Sequence, residues 1–215
     1  MTIIPGINCE TEVCIKETLL KLKELPNEWV QIDISDGKFT PAHTFHDTEK
    51  FNEFCDEINF SKKIEVHLMV EHPDDYISGW LSVGVKRVII HGESVHKKAE
   101  LMEYKKKCES FGAELGIALN PDTKIEDKED LLMDVNFVQV LAVHPGFSEQ
   151  KQLDMSEKIR LLRERFPHVT IEVDGGVNEI TASVLKSLGV DIVVSVSYIL
   201  EGKDPLKQYQ TLANI

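Results

Sequence analysis

Short apolar runs recur through this 215-residue chain at 3–7, 29–34, 64–70, 87–91, 114–119, 137–143, 170–174 and 192–195. Each has the length of a strand and is too short for a helix. Between them lie longer amphipathic stretches. Residues 12–24 carry Val13, Leu19, Leu20 and Leu22 among Lys and Glu, and 95–111 carry Leu101, Met102 and Phe111. Residues 156–166 carry Ile159, Leu161, Leu162 and Phe166, and 180–188 show a similar stripe. Gly84, Gly112 and Gly189 each stand between a helical stretch and the next strand, where helix-ending glycines belong. Strand–helix alternation calls for parallel pairing through crossover helices. Eight such units in 215 residues predict one α/β domain over 1–215, a closed (β/α)8 TIM barrel rather than an open sheet.

In such barrels the sites form at the C-terminal ends of the strands, and these ends are unusually polar. The second runs Gln31-Ile-Asp33-Ile-Ser35-Asp36, the third ends Val66-His67-Leu68, the fourth His91-Gly-Glu93, and the seventh Val173-Asp174-Gly175-Gly176. Strand alternation points Gln31 and Asp33 into the barrel and packs Ile32 and Ile34 outward. Asp174 falls opposite the second strand and His67 between them. Two carboxylates and an imidazole at one mouth are a costly arrangement without a metal, a proton relay or water. Other polar residues read more plainly. Asp36 before Gly37 is a turn residue, and His144 before Pro145 starts a loop. His43, His46, His72, His96 and His168 suit solvated surface, and His91 suits a buried histidine bonded behind the site. The irregular stretch 38–45 is a candidate lid.

The formal net charge of −13 disfavours nucleic-acid and membrane partners. Cys9, Cys14, Cys55 and Cys108 form no CxxC pair and are expected as free, mostly buried thiols in a reducing compartment. No signal-peptide pattern opens the sequence, and no apolar run is long enough to span a bilayer, so a cytoplasmic location is expected.

In one register from about Ile3 to Leu206 the chain resembles the ribulose-phosphate 3-epimerase family. The resemblance is carried by residues 31–41 (QIDISDGKFTP), against a family pattern HxDxMDGxFVP. It continues through Val66-His-Leu-Met-Val70, His91-Gly-Glu93, Gly116-Ile-Ala-Leu-Asn-Pro121, Val143-His-Pro-Gly-Phe147 with Gln150, and Val173-Asp-Gly-Gly-Val177. It implies a carbohydrate isomerase of pentose-phosphate metabolism, interconverting D-ribulose 5-phosphate and D-xylulose 5-phosphate by 1,1-proton transfer at C3. Asp33 and Asp174 would be the acid–base pair on opposite sides of a planar enediolate. One divalent metal (Zn, Mn, Fe or Mg), held by Asp33, His67, Asp174 and Gln31, would stabilise that enediolate as a Lewis acid. The sugar phosphate would rest on His67, Gly146, Phe147, Ser148, Gly175, Gly176, Val196 and Ser197, and a homo-oligomer is expected.

The chain also departs from the family. Gln31 replaces a metal-binding histidine; its amide would either ligate a harder metal through oxygen or donate to the enediolate. Ser35 and Leu141 replace methionines that cover the intermediate. Ser148 and Glu149 replace glycines of the phosphate cradle, Val196 stands in a Gly-Ser pair, and Gly6 replaces a serine. These substitutions keep two alternatives open: an enzyme of the same fold for another sugar or sugar phosphate, and a non-catalytic barrel acting as a binding module. The sugar-phosphate decarboxylases on the same barrel carry Asp-x-Lys at the third strand, where this chain reads Glu65-Val66-His67.

Overall fold

The computed structural model describes residues 1–146 and 150–215. Parallel strands β1 (Thr2–Ile7), β2 (Trp29–Ser35), β3 (Lys63–Met69), β4 (Arg87–His91), β5 (Glu114–Leu119), β6 (Phe137–Leu141), β7 (Thr170–Asp174) and β8 (Ile192–Ser195) pair in chain order. The barrel closes where β1 meets β8, with Ile3 opposite Val193. Outside it lie α1 (Glu12–Lys23), α2 (Thr48–Glu57), α3 (Asp74–Ser82), α4 (Lys98–Ser110), α5 (Glu129–Leu132), α6 (Ser156–Arg165), α7 (Glu179–Ser187), α8 (Ser197–Leu200) and α9 (Pro205–Ala213). The predicted strands and helices are all present, with ends displaced by at most a few residues. α2, α3, α5, α8 and α9 were not delimited from the sequence.

Two cores follow from the strand period of two. Ile32, Ile34, Val66, Leu68, Val88 and Ile90 face outward and join the helices in the main apolar cluster. Inside the barrel a much smaller cluster of Ile89, Ala118, Phe137 and Leu141 shares the axis with buried polar groups. The predicted inward aspect of Gln31 and Asp33 and outward aspect of Ile32 and Ile34 are thus observed. Gly84, Gly112 and Gly189 end their helices at φ of 85°, 69° and 79°.

One expectation is overturned. Cys9 and Cys14 form a disulfide, while Cys55 and Cys108 are free and buried. Cys9 follows β1 and Cys14 lies in the first turn of α1. The β1–α1 turn brings their Cα atoms to 5.6 Å, within bridging distance. Sequence spacing alone does not reveal such a closure, because it depends on how the strand hands over to the helix. The pair also removes the thiol-based argument for a reducing compartment. Among the described residues no helix is long and apolar enough to cross a membrane.

The stretch 38–45 leans across the mouth. Asp36 anchors its start: its Oδ1 accepts the amides of Lys38 and Phe39 at 2.8 and 2.9 Å, and its Oδ2 that of Glu71 at 2.8 Å. The amide of Phe45 donates to Cys9 O at 2.7 Å. Phe39 packs on the His91 ring at a centroid distance of 4.5 Å, and Thr40 lies so close to Gly146 that a side chain there would collide with it.

Candidate active site

The register of β2 and β3 sets Asp33 beside His67 and Gln31 beside Glu65. Asp174, at the end of β7, reaches the same cavity from the far side. The Gln31 side-chain amide spans the two acids: its Nε2 donates to Asp33 Oδ1 and to Asp174 Oδ2, each at 2.7 Å. His67 Nδ1 lies 3.3 Å from Asp33 Oδ1 and 3.6 Å from Asp174 Oδ2. One ligand atom from each of Asp33, His67 and Asp174 fits within a 4.8 Å cluster. Burial, and then the charge of Asp33, push the Asp174 carboxyl up to about 7. Two carboxylates this close, with an imidazole nitrogen beside both, favour a cation or a shared proton. The donor set of two oxygens and one nitrogen fits a divalent metal.

Gln31 has a definite orientation. Its amide nitrogen end meets two carboxylate oxygens, so that end must be the donor. Its Oε1 accepts from Gln139 Nε2 at 2.7 Å, and the same Nε2 also donates to Glu172 Oε1 at 2.9 Å. The oxygen is thereby turned down the axis and occupied. Below lies a buried ionic floor: Glu65 pairs with Arg87, whose guanidinium also stacks 3.8 Å from the Phe137 ring centroid and bonds Glu114 at 3.0 Å. Burial pushes Glu65 up to about 7 and Glu172 well above the ordinary carboxylate range.

Behind His67 a second chain leads toward β5. His67 Nε2 and His91 Nε2 are 2.9 Å apart, and His91 Nδ1 lies 3.2 Å from Glu93 Oε2. Glu93 Oε1 accepts from the Asn120 amide at 2.9 Å and from the Thr123 hydroxyl. Burial pushes Glu93 upward, but these bonds outweigh it and hold the carboxyl down at about 2. Burial presses His91 down to about 4.

The cavity above is lined by Asp33, His67, Gly146, Asp174, Gly175, Gly176, Val196 and Ser197, all named from the sequence. Gln31 lies beneath it, fully buried. Phe147, Ser148 and Glu149 fall outside the described residues. Sequence reading did not name Asn8 or Val194 in the lining or Gln139 below it, and quoted Met69, Val143, Pro145, Gln150 and Val177 only within motifs. Asn8 and Met69 close polar or mixed strand ends and were legible as such. Gln139 was legible only as a polar residue inside an apolar strand.

Two departures prove to be one packing event. A Cβ on Gly6 would come 2.6 Å from Val196 Cγ2, so the valine on one side of the β1–β8 seam uses the space vacated by the missing side chain on the other. Gly176, at φ of 63°, has no room for a side chain because Gln152 backbone lies 2.7 Å from where its Cβ would be. Its backbone therefore fronts the cavity directly.

Comparison with known proteins agrees with this geometry. The ribulose-phosphate 3 epimerase family matches residues 2–200. The chain is 33% identical over 206 residues to a ribulose-phosphate 3-epimerase of Chlamydia pneumoniae, covering 92% of this chain and 86% of that protein. It is 30% identical over 212 residues to the Aquifex aeolicus ribulose-phosphate 3-epimerase, covering 94% and 90%. Among solved structures, a 3-hexulose-6-phosphate synthase from Salmonella typhimurium superposes with a TM-score of 0.74 at 12% identity over 100% of this chain and 97% of the other. At that identity the likeness speaks for the barrel alone.

Proposed function

The chain belongs to the ribulose-phosphate 3-epimerase family, a family of carbohydrate isomerases, and on that premise we propose that it interconverts D-ribulose 5-phosphate and D-xylulose 5-phosphate. The observation that carries the reading is the pairing of Asp33 and Asp174 across one cavity, each 2.7 Å from the same Gln31 nitrogen. Epimerisation at C3 removes a proton from one face of the carbon next to the ketone and returns one to the other face. That requires a base and an acid at once. Two carboxyl groups facing one cavity from β2 and β7 supply both: one takes the C3 proton and the other returns a proton to the opposite face. Gln31 holds the two acids in place through its amide, and its own oxygen, engaged by Gln139, is not offered to a ligand. Asp33, His67 and Asp174 would hold a divalent metal, which when bound supplies Lewis-acid stabilisation of the enediolate. The phosphate would lie against the backbone of Gly146, Gly175 and Gly176 and against Ser197.

The filled seam at Gly6 and Val196 favours a second reading, in which the same proton transfer serves a sugar with a smaller or absent phosphate. The test is proton exchange in deuterated buffer with Mn²⁺ or Zn²⁺. Ribulose 5-phosphate should lose its C3 proton signal, and Asp33→Asn or Asp174→Asn should abolish that loss while leaving the circular dichroism spectrum intact. Exchange with an unphosphorylated ketose but not with ribulose 5-phosphate selects the second reading. Exchange with neither defeats both.

A further inference from the structure

His91 and Glu93 have no assigned part in the proton transfer, yet they are buried directly behind the cavity. The relation between the two imidazoles is restrictive. Their Nε2 atoms meet at 2.9 Å with ring planes 21° from parallel, so the rings meet edge to edge and share one hydrogen bond. One Nε2 must carry a proton and the other must not. Glu93 decides which. Its Oε1 is claimed by the Asn120 amide and the Thr123 hydroxyl, leaving Oε2 as an acceptor 3.2 Å from His91 Nδ1. His91 therefore carries its proton on Nδ1 and accepts at Nε2. His67 must then donate from Nε2, and its Nδ1 faces Asp33 Oδ1 at 3.3 Å and Asp174 Oδ2 at 3.6 Å, a contact that needs either a shared proton or a cation between nitrogen and oxygen.

We propose that Glu93 and His91 are positioning residues that hold the proton of His67 on Nε2 and so present its Nδ1 lone pair to a divalent cation between Asp33 and Asp174. Metal-bound histidines usually have their second nitrogen anchored by a carboxylate or carbonyl, and loss of such an anchor typically weakens metal binding about 10- to 100-fold. Here the anchor is a carboxylate acting through a second imidazole. Phe39, packed on His91 at 4.5 Å, helps hold that imidazole in plane with its partner. The inference rests on the metal reading above, and its test separates the two.

The critical variant is Glu93→Gln. The Asn120 amide requires an oxygen at its end of the new side chain, so the other end becomes an NH₂ pointed at His91 Nδ1. His91 must then accept at Nδ1 and donate from Nε2, and His67 must move its proton to Nδ1. An isosteric change at Glu93 thus reverses two tautomers. In the metal-free protein labelled with ¹⁵N-histidine, wild type should show protonated His91 Nδ1 and protonated His67 Nε2, and Glu93→Gln the reverse. Thr123→Val, which leaves the carboxylate, should keep the wild-type pattern. Calorimetric titration with Zn²⁺ and Mn²⁺ should give 10- to 100-fold weaker binding for Glu93→Gln. A wild-type spectrum with the His91 proton on Nε2 overturns the proposal even if no variant folds. Equal metal affinity in wild type and Glu93→Gln also overturns it. Absence of metal binding by wild type, with the tautomers as described, overturns the metal reading and with it the role of Nδ1 as a ligand.

Discussion

The orientation of Gln31 can be tested through its contact with Gln139. Replacing Gln31 with Leu removes two hydrogen bonds to carboxyl groups, each 2.7 Å long, and the bond that its oxygen accepts from Gln139 at 2.7 Å. Bonds to carboxyl groups contribute about 1.5–3 kcal/mol apiece. Asp33 and Asp174 lie at the cavity edge, where water recovers part of the loss, so about 3 kcal/mol is expected. Replacing Gln139 with Leu removes a neutral bond of about 1 kcal/mol and one to the Glu172 carboxyl, but also eliminates a buried Gln139 oxygen with no partner. The expected net loss is about 2 kcal/mol. The two losses count the shared Gln31–Gln139 bond twice, so the double variant should lose about 4 kcal/mol, a coupling of about 1 kcal/mol. Urea denaturation of the four proteins measures this. If the effects add to within about 0.5 kcal/mol, or if Gln139→Leu costs nothing, Gln139 does not set the Gln31 amide and the axial chain described here is wrong.

Three further outcomes follow from the structure. Arg87→Met should destabilise by about 3–5 kcal/mol at pH 8, since it strands a buried carboxylate; burial already raises Glu65 to about 7, the folded state favours its protonated form, and ionising it costs stability as pH rises from about 4.5 to 7. Removing Arg87 raises Glu65 further, so the loss should shrink at pH 5, and equal losses at pH 5 and 8 in urea titrations would contradict this. Burial pushes the Cys55 and Cys108 thiols up to about 12, so the native, unreduced protein should take up no iodoacetamide at pH 8 by mass spectrometry, while reduction should expose Cys9 and Cys14. Gly6→Ala should cost about 1–3 kcal/mol through the 2.6 Å encounter with Val196, and Val196→Gly in the same chain should recover most of it; thermal melts of the single and double variants decide.

Much of this protein is written locally. Strand alternation put Gln31 and Asp33 inside and Ile32 and Ile34 outside, and the recurrence of eight strand–helix units left little choice but a closed parallel barrel. The polar strand ends marked Asp33, His67 and Asp174 as candidates for one mouth. What chain order does not carry is who meets whom across the axis. Gln31 bonds Asp174 across 143 residues and Gln139 across 108. Which end of an amide donates depends on those distant partners rather than on its neighbours in sequence. The same holds for the His67–His91 contact, where two inward-facing side chains on adjacent strands acquire fixed tautomers only because Glu93 is held by the loop after β5. The Cys9–Cys14 bridge and the Gly6–Val196 seam likewise appear only after the strand has turned into its helix and the barrel has closed. Periodicity specifies a side chain's direction, whereas hydrogen bonds, ion pairs and packing collisions are set by distances between atoms that only closure of the barrel brings together.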